Sequence, residues 1–103
     1  MSSFQGWSDE AVLDVIGERV RQIRLNRNET QGDLAEQAGV SVETVRKLED
    51  GGNVSLTTLI RLLRALGMLD GIDTLIPEPG LSPIQLLELE GRRRQRASGS
   101  RRG

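Results

Sequence analysis

Apolar residues recur every three to four positions along most of this chain, which is the period of an amphipathic α-helix. A clear example is the stripe formed by Val12, Ile16, Val20 and Ile23. Sustained alternation of apolar and polar residues, which marks a half-buried strand, is missing from the sequence. Residue types that favour helices, above all Leu, Glu, Arg, Ala and Gln, are plentiful. The pattern therefore predicts an all-α protein.

Capping residues and chain breakers divide the sequence into short helices. Serine or threonine stands where a helix should begin, and glycine, asparagine or proline where it should end. The helices predicted in this way cover residues 9–26, 31–38, 41–50, 55–66 and 68–75. A sixth helix opens at Ser82 and Pro83, and Gly91 is expected to close it. The remaining residues, 92–103, are rich in Arg, Ser and Gly and are predicted to be disordered.

These elements predict a simple domain organisation. Residues 1–7 form an N-terminal arm, residues 8–76 the folded domain, residues 77–83 a proline-rich linker, and residues 84–103 a short amphipathic helix with a basic tail. A domain of this size buries only about 60% of the surface of its unfolded chain. Its stability is therefore marginal, and we expect a partner to cover the remaining apolar surface.

The composition removes several classes of chemistry. The chain has no cysteine and no histidine, so it lacks thiolate ligands and the commonest general base and metal ligand. It also carries no glycine-rich phosphate loop. We therefore expect a protein that is not an enzyme and holds no cofactor or metal. No apolar run is long enough to span a membrane, and residues 1–14 do not form a secretory signal. We expect a cytoplasmic bacterial protein, associated with the nucleoid.

Charge is distributed unevenly along the chain. The 103 residues carry 14 basic and 15 acidic side chains, for a net charge of −1. Residues 1–76 hold eight basic and twelve acidic groups, whereas residues 77–103 hold six basic and three acidic groups. An acidic domain argues against nonspecific coating of nucleic acid. It remains compatible with a protein that presents a few basic groups on one face.

The most informative segment is residues 31–49, in which two short helices flank a turn at Gly39. Two helices of this length with such a turn form a helix-turn-helix. On a helical wheel, Val45 and Leu48 define the buried side of the second of these helices, together with Ser41. The opposite side carries charged residues, namely Glu43, Arg46, Lys47 and Asp50.

This polar face has the chemistry that the DNA major groove demands. Arg46 and Lys47 are of the types that donate to O6 and N7 of guanine, and Glu43 is of the type that accepts from N4 of cytosine. Val42 is suited to contact a thymine methyl group. For Glu43, support of the helix dipole near the helix N-terminus is an equally good interpretation.

The segment resembles the Xre/Cro family of lambda-repressor-like helix-turn-helix proteins over about residues 16–75. The landmarks are Ile16-Gly-Glu-Arg-Val-Arg-Gln-Ile-Arg24, Thr30-Gln31, Leu34-Ala35, Ala38-Gly39-Val40-Ser41, Leu48-Glu49 and Leu63-Arg-Ala-Leu-Gly67. The resemblance implies a five-helix lambda-repressor-like domain. It also implies a sequence-specific regulator that represses its own gene as a homodimer on a palindromic operator in double-stranded DNA.

The resemblance also implies roles for individual residues. Gln31 and Asn53 are expected to touch the DNA backbone, and Arg24 is expected to form a structural ion pair with Glu49. The full set of expected DNA-binding residues is Gln31, Ser41, Val42, Glu43, Arg46, Lys47 and Asn53. Two positions depart from the family, because Glu29 stands where an apolar residue is usual and Asn28 where glycine is frequent.

The C-terminal third has a second resemblance. The run Leu66-Gly-Met-Leu-Asp-Gly-Ile-Asp-Thr-Leu-Ile-Pro-Glu-Pro, the later Ser-Pro-Ile-Gln-Leu-Leu and the arginine-rich end are similar to small regulators encoded beside HipA-type kinase toxins. This similarity implies an alternative function. The chain would then be a HipB-like antitoxin that neutralises a toxin kinase through residues 77–103 and represses its own operon.

Overall fold

The structure is a computed structural model that describes residues 3–80 and 83–100, apart from the side chains of residue 86 and of residues 94–100. The chain divides into two compact units, Met1–Ile72 and Asp73–Gly103. Every regular element in the described ranges is helical. In the same ranges, no helix combines the length and the apolar character needed to cross a membrane.

The helices of the structure agree closely with those predicted. Their bounds are α1 Asp9–Asn26, α2 Gln31–Ala38, α3 Val42–Glu49, α4 Leu56–Ala65, a 3-10 turn Leu69–Gly71, α5 Ile72–Leu75 and α6 Pro83–Ser100. The predictions for α1 and α2 are confirmed to the residue. For α3 the predicted N-cap Ser41 is confirmed, whereas Asp50, Ser55 and Leu66, predicted as the ends of α3 and α4, are caps rather than helical residues. The single helix predicted over 68–75 is a 3-10 turn followed by one α-helical turn.

Side-chain caps explain why the first four helices begin where they do. Ser8, Thr30, Ser41 and Ser55 each accept a hydrogen bond from the backbone amide three residues later, at 3.0–3.2 Å. At α2 the cap is reciprocal, since the amide of Thr30 also donates to Asp33 at 2.9 Å. Hydrogen bonding to the Asp33 carboxylate, from the backbone amide of Thr30 first and from the Thr30 side chain second, lowers the pKa of Asp33. Helix α2 ends at Gly39, whose φ of 72° lies in the left-handed region that glycine adopts without strain.

The core of the first unit lies where α1, α2, α3 and α4 meet. Its buried apolar residues are Val20, Leu34, Ala35, Ala38, Val45, Leu48, Leu62 and Leu66. Helix α3 packs against both α1 and α2, and α2 packs against α4. Leu56 belongs to the apolar stripe of α4 in the sequence but is 76% exposed. It stands at the first position of α4, one turn before the part of the helix that reaches the core.

A close approach between helices sets the position of α3. Gly17 is buried in the middle of α1, and a Cβ atom there would overlap the carbonyl oxygen of Leu48 and lie 2.8 Å from that of Glu49. Only glycine therefore allows the backbone of α1 to lie this close to the C-terminal end of α3. This contact is the packing reason for a glycine in a helix interior, where it costs roughly 1 kcal/mol relative to alanine.

The turn between α1 and α2 accommodates both departures from the family pattern. Asn28 adopts a φ of 56°, and asparagine is one of the residue types that tolerates this region. The Glu29 side chain is only 11% exposed and forms an ion pair with Arg27. Arg27 in turn donates to the carbonyl oxygens of Leu66 and Ala65 at 3.3 and 3.4 Å. The charge at position 29 is thus stabilised by a cation that also caps the C-terminal end of α4.

In the second unit, the predicted C-terminal end of the sixth helix is wrong. Helix α6 does not end at Gly91 but continues to Ser100, so residues 92–100 are helical rather than disordered. One glycine costs about 1 kcal/mol inside a helix. Good helix formers flank it on both sides, and Glu88 precedes Arg92 by four positions, a spacing that stabilises a helix. Residues 101–103 of the predicted tail lie outside the described residues.

Candidate nucleic-acid interface

The outward side of α3 carries a single stripe of charged side chains. Glu43, Arg46, Lys47 and Asp50 are all exposed and recur at intervals of three and four residues. On the opposite side, Val45 is 0% and Leu48 2% exposed, because both enter the core. Hydrogen bonds fix both ends of this helix, through the Ser41 cap at the start and Glu49 at the end. The charged stripe therefore lies on a rigid element. The result is a short helix whose polar face is accessible to a partner.

The N-terminal end of α3 is less available than its middle. The Ser41 hydroxyl accepts from the amide of Thr44 at 3.2 Å and lies 2.8 Å from the Thr44 hydroxyl. Val42 is half-buried and packs against the core rather than standing wholly on the exposed side. The Ser41 side chain therefore caps the helix and the Val42 side chain packs on the core. Only the exposed part of the Val42 side chain is free to contact a partner.

A buried ion pair anchors the C-terminal end of α3 to α1. Arg24 donates to Glu49 through Nε at 2.7 Å and through Nη2 at 3.0 Å, a bidentate arrangement. Arg24 is 6% and Glu49 8% exposed. The hydrogen bonds to Glu49 raise the pKa of Arg24, and the charges of Glu49 and Glu29 add to this effect. The guanidinium therefore stays charged although it is buried.

The structure brings Gln31 into the same network. Its side-chain amide donates to Oε1 of Glu49 at 3.0 Å, so the first residue of α2 is joined to the last residue of α3. Sequence reasoning assigned Gln31 to the DNA backbone alone and missed this hydrogen bond. No spacing rule connects two residues that lie on different helices. An amide group has two N–H donors, so one donor of Gln31 remains for another acceptor.

The loop after α3 is built on two glycines. The amide of Gly51 donates to Leu48 at 3.0 Å and that of Gly52 to Lys47 at 2.7 Å, which ends the helix. Gly51 has a φ of 85°, and a Cβ atom at Gly52 would lie 2.6 Å from Cγ of Lys47. The stem of Lys47 therefore passes directly over Gly52. Asn53 follows in an exposed position, two residues before the N-cap of α4.

Sequence reasoning also missed the contribution of α1 to this site. Gly17 and Asp14 of α1 both approach the end of α3, since a Cβ atom at Gly51 would overlap the carboxylate of Asp14. An isolated glycine inside a helical pattern is the one sequence signal that indicates a close approach here. Within the described residues, no group of acidic side chains is placed to hold a metal ion.

Comparison with known proteins agrees with this geometry. Residues 20–70 match the sequence profile of a family described as helix-turn-helix. The matched range contains α2, α3 and α4 and extends from the buried Val20 of α1 to the 3-10 turn. The comparison with curated proteins finds no match.

Proposed function

We propose that this chain, which belongs to the helix-turn-helix family of DNA-binding transcription regulators, is a repressor that reads a specific operator with α3. The observation that carries the proposal is the exposed stripe of Glu43, Arg46 and Lys47 above a buried Val45 and Leu48. A helix with one face in the core and the other lined by donors and an acceptor matches the requirements of the major groove.

Each exposed side chain has a distinct expected role. Arg46 and Lys47 donate to guanine, and Glu43 accepts from cytosine. The remaining amide donor of Gln31 and the side chain of Asn53 bind phosphate oxygens on either side of α3. Phosphate contacts hold the protein in register, whereas contacts to base edges select the sequence. The acidic Glu43 and Asp50 repel phosphate, so this face favours sequence selectivity over raw affinity.

We further propose that the protein acts as a homodimer and represses its own gene. The first unit leaves the apolar side chains of Leu56, Met68 and Ile72 exposed, which supports a contact with a second copy. In a symmetric dimer, the two copies of α3 would lie about 34 Å apart and read two halves of a palindrome.

Selection from random duplexes, followed by footprinting on DNA upstream of its own gene, tests the proposal. We expect an enriched palindrome whose half-site centres are about 10 base pairs apart, or a multiple of that spacing. We also expect protection of a matching site upstream of the gene at moderate salt. Recovery of no enriched sequence would contradict specific recognition. Enrichment of a single half-site would contradict the dimer.

Lys47→Ala is expected to weaken binding to the selected operator by about 1–3 kcal/mol and to relax the preference at one base position. The lysine is exposed and its stem is held over Gly52, so its removal deletes a donor without opening the core. Fluorescence anisotropy on the operator and on its single-base variants measures both effects. Arg64→Ala removes an exposed cation from α4 and is the matched control, expected to bind as the wild type does. Equal discrimination by Lys47→Ala and wild type would show that α3 is oriented differently on DNA.

A second candidate function, an antitoxin that neutralises a kinase toxin, is favoured by one feature of the second unit. Ile84 and Leu87 lie three positions apart on α6 and are 71% and 69% exposed. Exposed apolar side chains on one helical face are typical of a helix that binds a partner protein.

Ile84→Ser combined with Leu87→Ser tests the antitoxin function. If a kinase encoded by the neighbouring gene binds this face, the double variant loses co-purification with it and still binds the operator. Glu88→Ser on the same helix is the control and is expected to retain the kinase. Undiminished capture of the kinase by the double variant, or a neighbouring gene product that is not a kinase, would remove this candidate.

A further inference from the structure

We propose that the basic end of α6 is a second DNA-binding element, which binds phosphates of the same duplex that α3 reads. The inference rests on the function proposed above, because it assigns to α6 a part in the same complex. Its ligand is the phosphodiester backbone of a duplex rather than any particular base sequence.

The charge distribution leaves the first unit short of phosphate contacts. Residues 1–72, which form the first unit, carry eight basic and eleven acidic groups, and the exposed stripe of α3 has two cations and two acids. Two of the eight cations, Arg24 and Arg27, are committed to Glu49 and Glu29 within the fold. Binding to a polyanion draws most of its affinity from neutralised phosphates. The first unit alone therefore supplies few of the contacts that this binding requires.

The second unit holds the missing charge. From Gly91 to the end there are six arginines and no acidic residue. Four of them, at positions 92, 93, 94 and 96, lie within α6, so they are spaced at 1.5 Å per residue along a regular helix. Positions 92, 93 and 96 fall within about 100° of each other on the helical wheel. The backbone of α6 thus concentrates charge in less than two helical turns.

The acidic side chains described next to Arg92 and Arg93 are exposed and hold these arginines only weakly. Arg93 forms an ion pair with Glu78, but the two side chains are 55% and 46% exposed. An exposed pair of this kind contributes about 0–1 kcal/mol, so a phosphate can replace the glutamate at little cost. Arg92 is exposed and borders a shallow pocket, together with Pro79, Gln85, Glu88 and Leu89. Glu88 is the acidic member of that pocket, and it too is exposed.

Phosphate is also the ligand that suits this residue type. Every cation in residues 77–103 is arginine rather than lysine, and the guanidinium donates to two phosphate oxygens at once. Because α6 is covalently joined to the helix-turn-helix, its phosphate contacts form within one molecule once α3 is bound. Such contacts raise the overall affinity without any new base recognition.

The salt dependence of DNA binding by the full chain tests the proposal. The probe is a duplex of random sequence, about 30 base pairs long, titrated at several salt concentrations by fluorescence anisotropy. Replacing Arg92, Arg93, Arg94 and Arg96 by glutamine preserves helix propensity and removes four charges. We expect the slope of log K against log salt to become shallower by about 0.9 for each phosphate that the variant no longer neutralises. At about 100 mM salt we expect affinity to fall at least ~10-fold.

Three further variants separate the effect of charge at these positions from other effects. The same four positions changed to lysine keep the charge and are expected to retain the slope of the wild type. Arg61→Gln with Arg64→Gln removes two exposed charges from α4, and we expect a smaller change of slope than for Arg92→Gln with Arg93→Gln. Circular dichroism at 222 nm verifies that the glutamine variant keeps its helix content.

The outcomes distinguish this proposal from the function on which it rests. If the wild type binds neither the random duplex nor the operator recovered by selection at any salt, the repressor function itself fails. If the wild type binds but the glutamine variant has the same slope and affinity, the proposal for α6 is overturned and the repressor function stands. A shallower slope in the lysine variant would also overturn it, because phosphate binding depends on charge.

Discussion

Replacing Arg24 by methionine is expected to lower the free energy of unfolding by about 3–5 kcal/mol. The substitution leaves the carboxylate of Glu49 buried with a single donor, the amide of Gln31 at 3.0 Å. A buried charge that loses its partner keeps the full cost of its desolvation. The Glu29 carbonyl oxygen loses its donor as well, since Arg24 reaches it at 2.7 Å. Small domains have total stabilities of about 5–15 kcal/mol, and at the lower end of that range a loss of this size unfolds much of the variant at 37 °C.

Urea denaturation monitored by circular dichroism measures this destabilisation. The control on the same helix is Arg21→Met, where an exposed ion pair with Glu18 at 4.0 Å is removed and the change should stay within about 0.5 kcal/mol. The double variant Arg24→Met/Glu49→Leu removes both charges and should recover most of the stability. A single variant as stable as the wild type would mean that the ion pair does not anchor α3. A double variant no more stable than the single one would assign the destabilisation to packing.

Replacing Gly17 by alanine is expected to destabilise the protein by about 3 kcal/mol, at the upper end of the cost of overpacking. Helix propensity alone predicts the opposite sign, a gain of roughly 1 kcal/mol. The clash prevails because the new Cβ meets backbone, the carbonyl oxygens of Leu48 and Glu49, and not a side chain that can rotate away. Relief requires the end of α3 to move away from α1. Operator binding should therefore weaken even under conditions in which the variant is fully folded.

Gly32→Ala is the matched control within the same unit. It lies in α2, and the nearest atom to an added Cβ is Oγ1 of Thr30 at 3.6 Å, an ordinary contact distance. This variant should be as stable as the wild type, or more stable by up to about 1 kcal/mol, and should bind the operator normally. Thermal unfolding and fluorescence anisotropy provide the two readouts. A Gly17→Ala protein that matches Gly32→Ala in both would show that α1 and α3 tolerate a wider separation.

The helix boundaries could be predicted because caps are local. Ser8, Thr30 and Gly39 form their capping hydrogen bonds with atoms no more than about four residues away. A short segment of sequence is therefore enough to predict them. The prediction that Gly91 ends α6 was wrong for a related reason. A glycine is a weak terminator by itself, and the residues around Gly91 all favour continuation.

The exposed stripe of α3 could likewise be predicted from the helical wheel. Once Val45 and Leu48 are assigned to the core, the positions of Arg46 and Lys47 follow from a rotation of 100° per residue. The contacts around the stripe could not be predicted from the helical wheel. The hydrogen bond of Gln31 to Glu49, the burial of Glu29 beside Arg27 and the contact of Gly17 with α3 all depend on how the helices cross.

The amino-acid sequence thus determined which segments are helical, where most of them start and stop, and which side of α3 is polar. These properties arise from interactions between residues within one or two helical turns of each other. The amino-acid sequence alone therefore specifies them. The tertiary structure decided how α3 is held, through a glycine of α1, a buried arginine and an amide at the start of α2. Those groups lie 18 to 32 positions before Glu49 at the end of α3 and reach it only after packing brings their helices together.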